Sequence, residues 1–314
     1  MSFLSTAVKD VLDRGQFCAV ATMTPRGPHC TPLVYVGSGA RVWLTTSRRS
    51  VKASAWRRDP AMAGLVRDGE LAVTFTGTVR TYDALDRRTW GAAVAGATSI
   101  ARATAAFSTK NARFFAGYAV DAHQVPFAWT PPGRVFVGVD LERTALLDAH
   151  GVQEGRGRWG GSAGSQPTFR RSRGSDPFAP LPDGVIERIG RTGDGALAVA
   201  GERGLVVLPV RWRADASSLY AALPADLLAL AGGGAEAAVA LTVDAPSVWR
   251  ARDMIGAMFQ GTATFAVDGE VGSGASSLRT LAAEIAPGAT AVARVTPTRV
   301  VWWQGWTSGS AEPG

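Results

Sequence analysis

Between Val42 and Pro60 the chain reads VWLTTSRRSVKASAWRRDP, and its reactive side chains crowd together there: the hydroxyls of Thr45, Thr46, Ser47 and Ser50 and the cations of Arg48, Arg49 and Lys52. Hydroxyls donate single, re-aimable hydrogen bonds and Lys and Arg add charge, a mixture that suits an anion with several oxygens, a phosphate above all. A solvated basic turn with an ordinary serine cap has the same composition, and this segment alone leaves both readings open. No Ser-His-Asp or Cys-His arrangement accompanies it. His123 and His150 have no Cys, Asp or Glu at metal-ligand spacing, so no metal is assigned.

The elements that would position these groups follow from the pattern. Residues 41–46 read as a strand, Ser50 as a helix N-cap and Pro60 as the stop of the short helix after it. The unpaired N–H groups of a helix start would add donors for a phosphate. Upstream, 17–24 and 30–36 read as strands around the turn TPRGP, and a further hairpin surrounds RDGE. Alternation puts His29, Thr31 and Leu33 on one strand face and Cys30 and Pro32 on the other. Helices are expected at 2–14, after Ser50, in an Ala-rich insert at about 87–118, and at 276–286.

The chain also repeats itself. At an offset of 177, AVATMTPRGPHCTPLVYV (19–36) falls on ALAVAGERGLVVLPVRWR (196–213), matching Ala19, Ala21, Arg26, Gly27 and Pro32 with Ala196, Ala198, Arg203, Gly204 and Pro209. The offset becomes 184 after a longer loop in the second copy, where Phe75, Gly77 and Thr78 meet Phe259, Gly261 and Thr262. It falls to 156 near the end, pairing Val139 with Val295 and Arg143 with Arg299. Each copy carries five or six short strands and few helices, a pattern that best protects its edges by closing into a barrel. The expected fold is mainly β, two tandem split barrels forming a pseudo-dimer. The expected bounds are 1–148 for the first barrel, 149–184 for a Gly/Arg-rich linker, 185–308 for the second barrel and 309–314 for a tail.

Composition narrows the class. With 314 residues, 46% hydrophobic and 19% charged, the chain is globular, and it holds no apolar run long enough to span a bilayer. The two cysteines, Cys18 and Cys30, read as buried thiols in a reducing compartment, and a cytoplasmic location is expected. The net charge of +7 lies wholly in the first half, where residues 1–150 carry 18 Lys and Arg against 11 Asp and Glu. The basic residues are not interleaved with an aromatic RNA-binding motif, so neither nucleic acid nor membrane is expected as a partner.

The ordered set F-C-A-V-A-T, G-P-H-C-T-P-L-V-Y-V, V-W-L-T-T, S-V-K, R-R-D-P and G-T-V over residues 15–83 resembles the flavin-binding split-barrel family, which contains pyridoxamine 5′-phosphate oxidase and the flavin- and deazaflavin-dependent oxidoreductases. The resemblance implies that Thr46, Ser50 and Lys52 hold a cofactor phosphate with help from Arg48 or Arg49. It also implies that His29, Cys30, Thr31, Pro32 and Leu33 line the flavin ring. In homodimeric relatives the cofactor lies between two barrels, so the second copy would form the other wall, with Trp249, Arg250, Arg252, Gln260, Trp302, Trp303 and Trp306 as candidates and Arg252, Gln260 and Trp303 foremost. A homodimer through the first barrels is the other arrangement. At the offset of 177, Thr46, Ser50 and Lys52 become Leu223, Leu227 and Ala229, so the second site would be silent.

The function so implied is hydride transfer between a bound FMN-type cofactor and a small unsaturated organic substrate. FMN fits a one-phosphate pocket, whereas deazaflavin coenzyme F-420, with its acidic tail, would suit the wider belt of Arg48, Arg49, Arg57 and Arg58. Haem binding or degradation in the same cleft and flavin binding without turnover are the alternatives. Oxidation of pyridoxamine 5′-phosphate itself is disfavoured, because the end VVWWQGWTSGSAEPG lacks the arginine-rich signature that grips that substrate.

Overall fold

The computed structural model describes residues 4–121, 123, 125–126, 130, 133–159, 176–215, 218–232, 234–267 and 275–313. The first copy opens with helix α1 (Thr6–Arg14), capped by the Ser5 hydroxyl, which accepts the Val8 N–H. Strands β1 (Phe17–Thr24), β2 (Gly27–Ser38), β3 (Arg41–Ser47), β4 (Ala61–Asp68), β5 (Leu71–Tyr82), β6 (Arg134–Asp148) and β7 (Gly151–Arg156) follow. They form one sheet in the order β3-β2-β1-β4-β5-β6-β7, and a further pairing of β3 with β6 closes six of the strands into a barrel. Cys18, Val20, Val42, Leu44, Phe75, Val137 and Val139 belong to its buried core. Both thiols are buried, and burial pushes the pKa of Cys30 up to about 11.

The barrel is split. β2 pairs with β3 only where Tyr35–Ser38 meets Arg41–Leu44, while β3 runs beside β6 from Arg41 to Ser47. The first part of β2 therefore has β1 on one edge and no strand of its own barrel on the other. Pro28 and Pro32 sit on that stretch, and proline, lacking an N–H, leaves no donor stranded there. Cys30 between them gives its N–H to the Met258 sulfur at 3.1 Å, and its carbonyl accepts the Thr242 hydroxyl at 2.8 Å. The Pro28 carbonyl accepts Gln260 Nε2 at 2.8 Å. All three partners come from the second copy.

That copy repeats the plan. Strands β8 (Thr192–Gly201), β9 (Gly204–Ala214), β10 (Leu219–Leu223), β11 (Glu236–Ala245), β12 (Ile255–Val267), β13 (Ala291–Gln304) and β14 (Thr307–Ala311) are ordered β10-β9-β8-β11-β12-β13-β14, with β10 closing on β13. The two barrels press together through a shared apolar cluster that joins Ala21, Cys30, Ala63 and Leu65 to Leu197, Val239 and Met258. Both walls of the cleft described below thus lie within one chain.

Helices stand where the pattern placed them: α2 (Val51–Trp56), the insert as α3 (Trp90–Ala95), α4 (Ala97–Lys110) and α5 (Ala112–Val120), and, in the second copy, α8 (Ala275–Ile285). The insert lays Ala103, Phe107 and Phe114 over Trp43 on the outside of the first barrel. Two more helices, α6 (Asp183–Ile189) and α7 (Ala225–Ala231), are too short for a sequence period to announce. The bounds of the expected linker need correction. Gly151–Arg156 is strand β7, a polar edge strand held by pairing with β6. At the other end Phe178, Leu181 and Val185 are buried in the shared core. Residues 160–175 of the expected linker lie outside the described residues. Residues 309–311 of the expected tail belong to strand β14.

One detail recurs in both copies. β5 and β12 each carry a β-bulge, at Thr76/Gly77 and Gln260/Gly261. A Cβ at Gly77 would meet the Asp140 carbonyl, and one at Gly261 the equivalent carbonyl of Thr296. Backbone on both sides leaves no flexible group to yield, so Gly77→Ala and Gly261→Ala are each expected to destabilise the protein by roughly 1–3 kcal/mol. Urea denaturation of the two variants, with Gly69→Ala as a strained but spacious control, checks this.

Candidate functional site

Where β2 and β3 part, a cleft of about 340 Å³ opens between the barrels. β2 lines it with His29, Thr31, Pro32 and Leu33, and the end of β3 and the start of α2 add Thr46, Ser47, Ser50, Val51 and Lys52. The second barrel closes it with Met254 and with the hairpin β13–β14, which contributes Trp302, Trp303, Trp306, Thr307 and Ser308.

Lys52 is the centre of this wall. Its side chain is only 3% exposed and its Nζ contacts the Thr31 hydroxyl. Burial lowers its pKa from 10.5 to about 8. Beside it the Thr46 and Ser50 hydroxyls lie 3.0 Å apart, and Ser50 Oγ also accepts the Ala53 N–H at 3.1 Å as the cap of α2. That helix has six residues, so charge comes from side chains more than from a helix dipole. A second cation, the half-buried Arg134, opens β6 directly opposite Ser47. Its Nε donates to the Thr45 hydroxyl at 2.9 Å, and burial lowers its pKa. Among the described residues lining the cleft there is no aspartate or glutamate. A buried ammonium with no carboxylate among the described lining residues suits a negatively charged ligand.

His29 also faces the cleft, 9% exposed. Burial first, then the nearby charges of Lys52 and Arg299, lowers its pKa to about 3, so the imidazole is neutral at physiological pH and offers one donor and one acceptor. Of the alternation expected for β2, His29, Thr31 and Leu33 line the cleft and Cys30 does not, but Pro32, expected on the far face, borders the cleft as well.

Several expected residues stand elsewhere. Cys30 faces the second barrel, as its neighbours' alternation requires. Thr45 is behind the wall, held by Arg134. Arg48 turns away to an ion pair with the buried Asp83 at 2.7 Å, and Arg49 is exposed on the turn outside the lining. Arg57 is likewise exposed and donates to Ser54 Oγ, while Arg58 borders a different groove. Of the second-barrel candidates, Trp303 lines the cleft, but Gln260 is spent on the Pro28 carbonyl behind it. Arg252 pairs with Asp121 at 3.2 Å and so ties its loop to the helical insert. Trp249 is half exposed. Arg134 itself carried no sequence signal: it is one of many arginines, and only the β3–β6 pairing brings it to the motif.

The second copy has a counterpart cavity of about 290 Å³ in the same position, lined by Leu223, Pro224 and Leu227 and by Asp148 and Ala149 from the turn between β6 and β7. α7 starts sooner after its strand than α2 does, and the matching burial patterns of the two helices set Leu227 opposite Lys52, in place of the Ala229 that a constant offset gives. Thr46 falls opposite Leu223 as expected, since Thr46 pairs with Val135 and Leu223 with Ala291. The hydroxyl and the cation are both lost.

Residues 4–125 match the sequence family described as pyridoxamine 5′-phosphate oxidase. No curated protein matches the chain. Solved structures similar to it include an FAD-binding protein from Mesorhizobium loti, at 17% identity and a TM-score of 0.31, covering 46% of this chain and 94% of that one. A conserved hypothetical protein from Mycobacterium tuberculosis is similar at 22% identity and a TM-score of 0.33, over 46% of this chain and 85% of that one. An F420 reductase is similar at 16% identity and a TM-score of 0.31, over 45% and 98%. The matched residues 4–125 hold every first-barrel residue of the cleft except Arg134.

Proposed function

We infer that the cleft binds one phosphate-bearing flavin per chain and that the protein is an oxidoreductase acting on a small unsaturated organic molecule. The observation that carries this reading is the buried Lys52 ammonium in contact with the Thr31 hydroxyl, in a cleft whose described lining residues include the Thr46 and Ser50 hydroxyls and Arg134 and no carboxylate. A phosphate there gains the Lys52 charge and the hydroxyls of Thr46 and Ser50, and charge-assisted bonds of this kind are about twice as strong as neutral ones. The walls above it are apolar and aromatic, Leu33 on one side and Trp302 and Trp303 on the other, which suits a planar ring system.

The flavin, when bound, supplies the hydride chemistry. The chain's part is to hold and shield it. His29 presents a neutral imidazole that can give or take one hydrogen bond without adding charge. The indoles of the C-terminal hairpin exclude water from the ring side. FMN is favoured over a deazaflavin with an acidic tail, because Arg48 is taken by Asp83 and Arg57 and Arg58 lie outside the cleft.

Reconstitution with FMN, F-420 or haem followed by gel filtration and absorption spectroscopy tests the reading. FMN is expected to stay bound at one per chain with two flavin bands. A retained Soret band or a single deazaflavin band, with no FMN bound, would overturn it. Lys52→Ala is expected to weaken FMN binding by about 10- to 100-fold, the range for losing a hydrogen bond to a charged group.

The same lysine gives a pH prediction. Its pKa is depressed in the folded state, so between pH about 8 and 10.5 the unfolded chain binds more protons and this group's contribution to stability rises with pH. Lys52→Met removes that rise, and it stabilises the ligand-free protein at pH 7 while abolishing stabilisation by FMN. Thermal melts of both proteins across that range, with and without FMN, measure it. Binding of phosphate to the wild type is expected to fall as the pH passes about 8 and the ammonium is lost.

A further inference from the structure

The two copies differ where the helix after each barrel's third strand meets the other barrel's last hairpin. In the silent half Asp226, on the exposed side of α7, reaches across to the hairpin β6–β7 and accepts the Val152 N–H at 2.7 Å. Val152 stands opposite Leu147, one step beyond the turn-closing pair of Asp148 and Gly151. In a hairpin with a two-residue turn the closing pair shares the ladder hydrogen bonds, and the next pair turns its peptide groups outward. That outward N–H is what the carboxylate takes.

The hairpin β13–β14 keeps this register: Gln304 closes on Thr307, and Trp303 stands opposite Ser308. Ser308 is therefore the counterpart of Val152 at the offset of 156, and its N–H leaves the hairpin in the same sense. α2 offers no carboxylate to meet it. The burial pattern that matches Lys52 with Leu227 matches Asp226 with Val51, which is 47% exposed and lines the cleft together with Ser308. Thr307 stands where the silent half has Gly151, and its hydroxyl is turned back onto the Gln304 carbonyl at 2.8 Å.

We propose that the Ser308 N–H binds the anionic group of the ligand, as the Val152 N–H binds the Asp226 carboxylate in the silent half. The phosphate then bridges the barrels, with Lys52 and its hydroxyls on one wall and the C-terminal hairpin on the other. This rests on the reading of the cleft as a flavin-phosphate site. Asp226 becomes an internal stand-in for the ligand, and the contact it makes ties α7 to the hairpin in the silent half.

The test compares FMN with riboflavin, which lacks the phosphate. Ser308→Pro removes the N–H on an edge strand, at a position where proline is tolerated. It is expected to lower FMN affinity roughly tenfold or more and to leave riboflavin affinity unchanged, whereas Ser308→Ala, which keeps the N–H, changes FMN affinity by less than about threefold. In the unmodified protein, FMN is expected to slow amide hydrogen exchange across residues 304–311 more than riboflavin does, a readout that stands even if the proline variant fails to fold. If the wild type binds both flavins alike, the phosphate reading of the cleft falls, and this proposal with it. If the wild type and Ser308→Pro favour FMN equally and exchange in the hairpin does not respond to the phosphate, the cleft reading survives and the proposal is wrong.

Discussion

The open edge of β2 governs the architecture. A strand whose peptide groups face no partner must be covered, capped or stripped of donors, and this one is treated in all three ways over five residues. Pro28 and Pro32 remove donors, and Thr242, Gln260 and Met258 satisfy what is left from the other barrel. The barrels dock because the edge needs them to. The cleft is the gap left on the far side of the same split, where β3 has departed to pair with β6 and the strand face carrying His29, Thr31 and Leu33 is left without a sheet over it.

Electrostatics then separates two halves of similar backbone. In the first, the buried Lys52 ammonium meets hydroxyls, with no acid among the described residues of the lining. In the second, leucines replace the hydroxyl and the ammonium, and an acid on the helix is consumed by the neighbouring hairpin. A single exposed position, Val51 in one copy and Asp226 in the other, decides whether the helix after the third strand is bonded to the facing hairpin. Burying an unpaired ammonium costs the protein stability, on the order of 3 kcal/mol for a pKa lowered from 10.5 to about 8, and such a burden is characteristic of a functional site.

Much of this was legible in the sequence because it is local. Ser50 caps α2 and Lys52 faces inward because the strand, turn and helix signals lie within twenty residues, and the repeat exposed the tandem architecture through its constant register. What was hidden depends on long-range pairing. Arg134 joins the site only through the β3–β6 ladder, Arg48 leaves it for an aspartate thirty-five residues away, and Gln260 is drawn to a carbonyl that the split leaves bare. The slip that sets Leu227 opposite Lys52 could not be read from a constant offset, since the turn before α7 is shorter and only burial reveals the true alignment. β7 escaped notice because its polar, glycine-bearing sequence has no period of its own and is a strand solely by virtue of its neighbour.

The joining of both cleft walls in one chain also has a kinetic meaning. When the walls come from separate subunits, dilution dissolves the site, and ligand affinity is tied to protein concentration by mass action. Here the second wall arrives at a fixed effective concentration set by the covalent connection and the barrel contact. The meeting of the two walls of this cleft is thus independent of protein concentration.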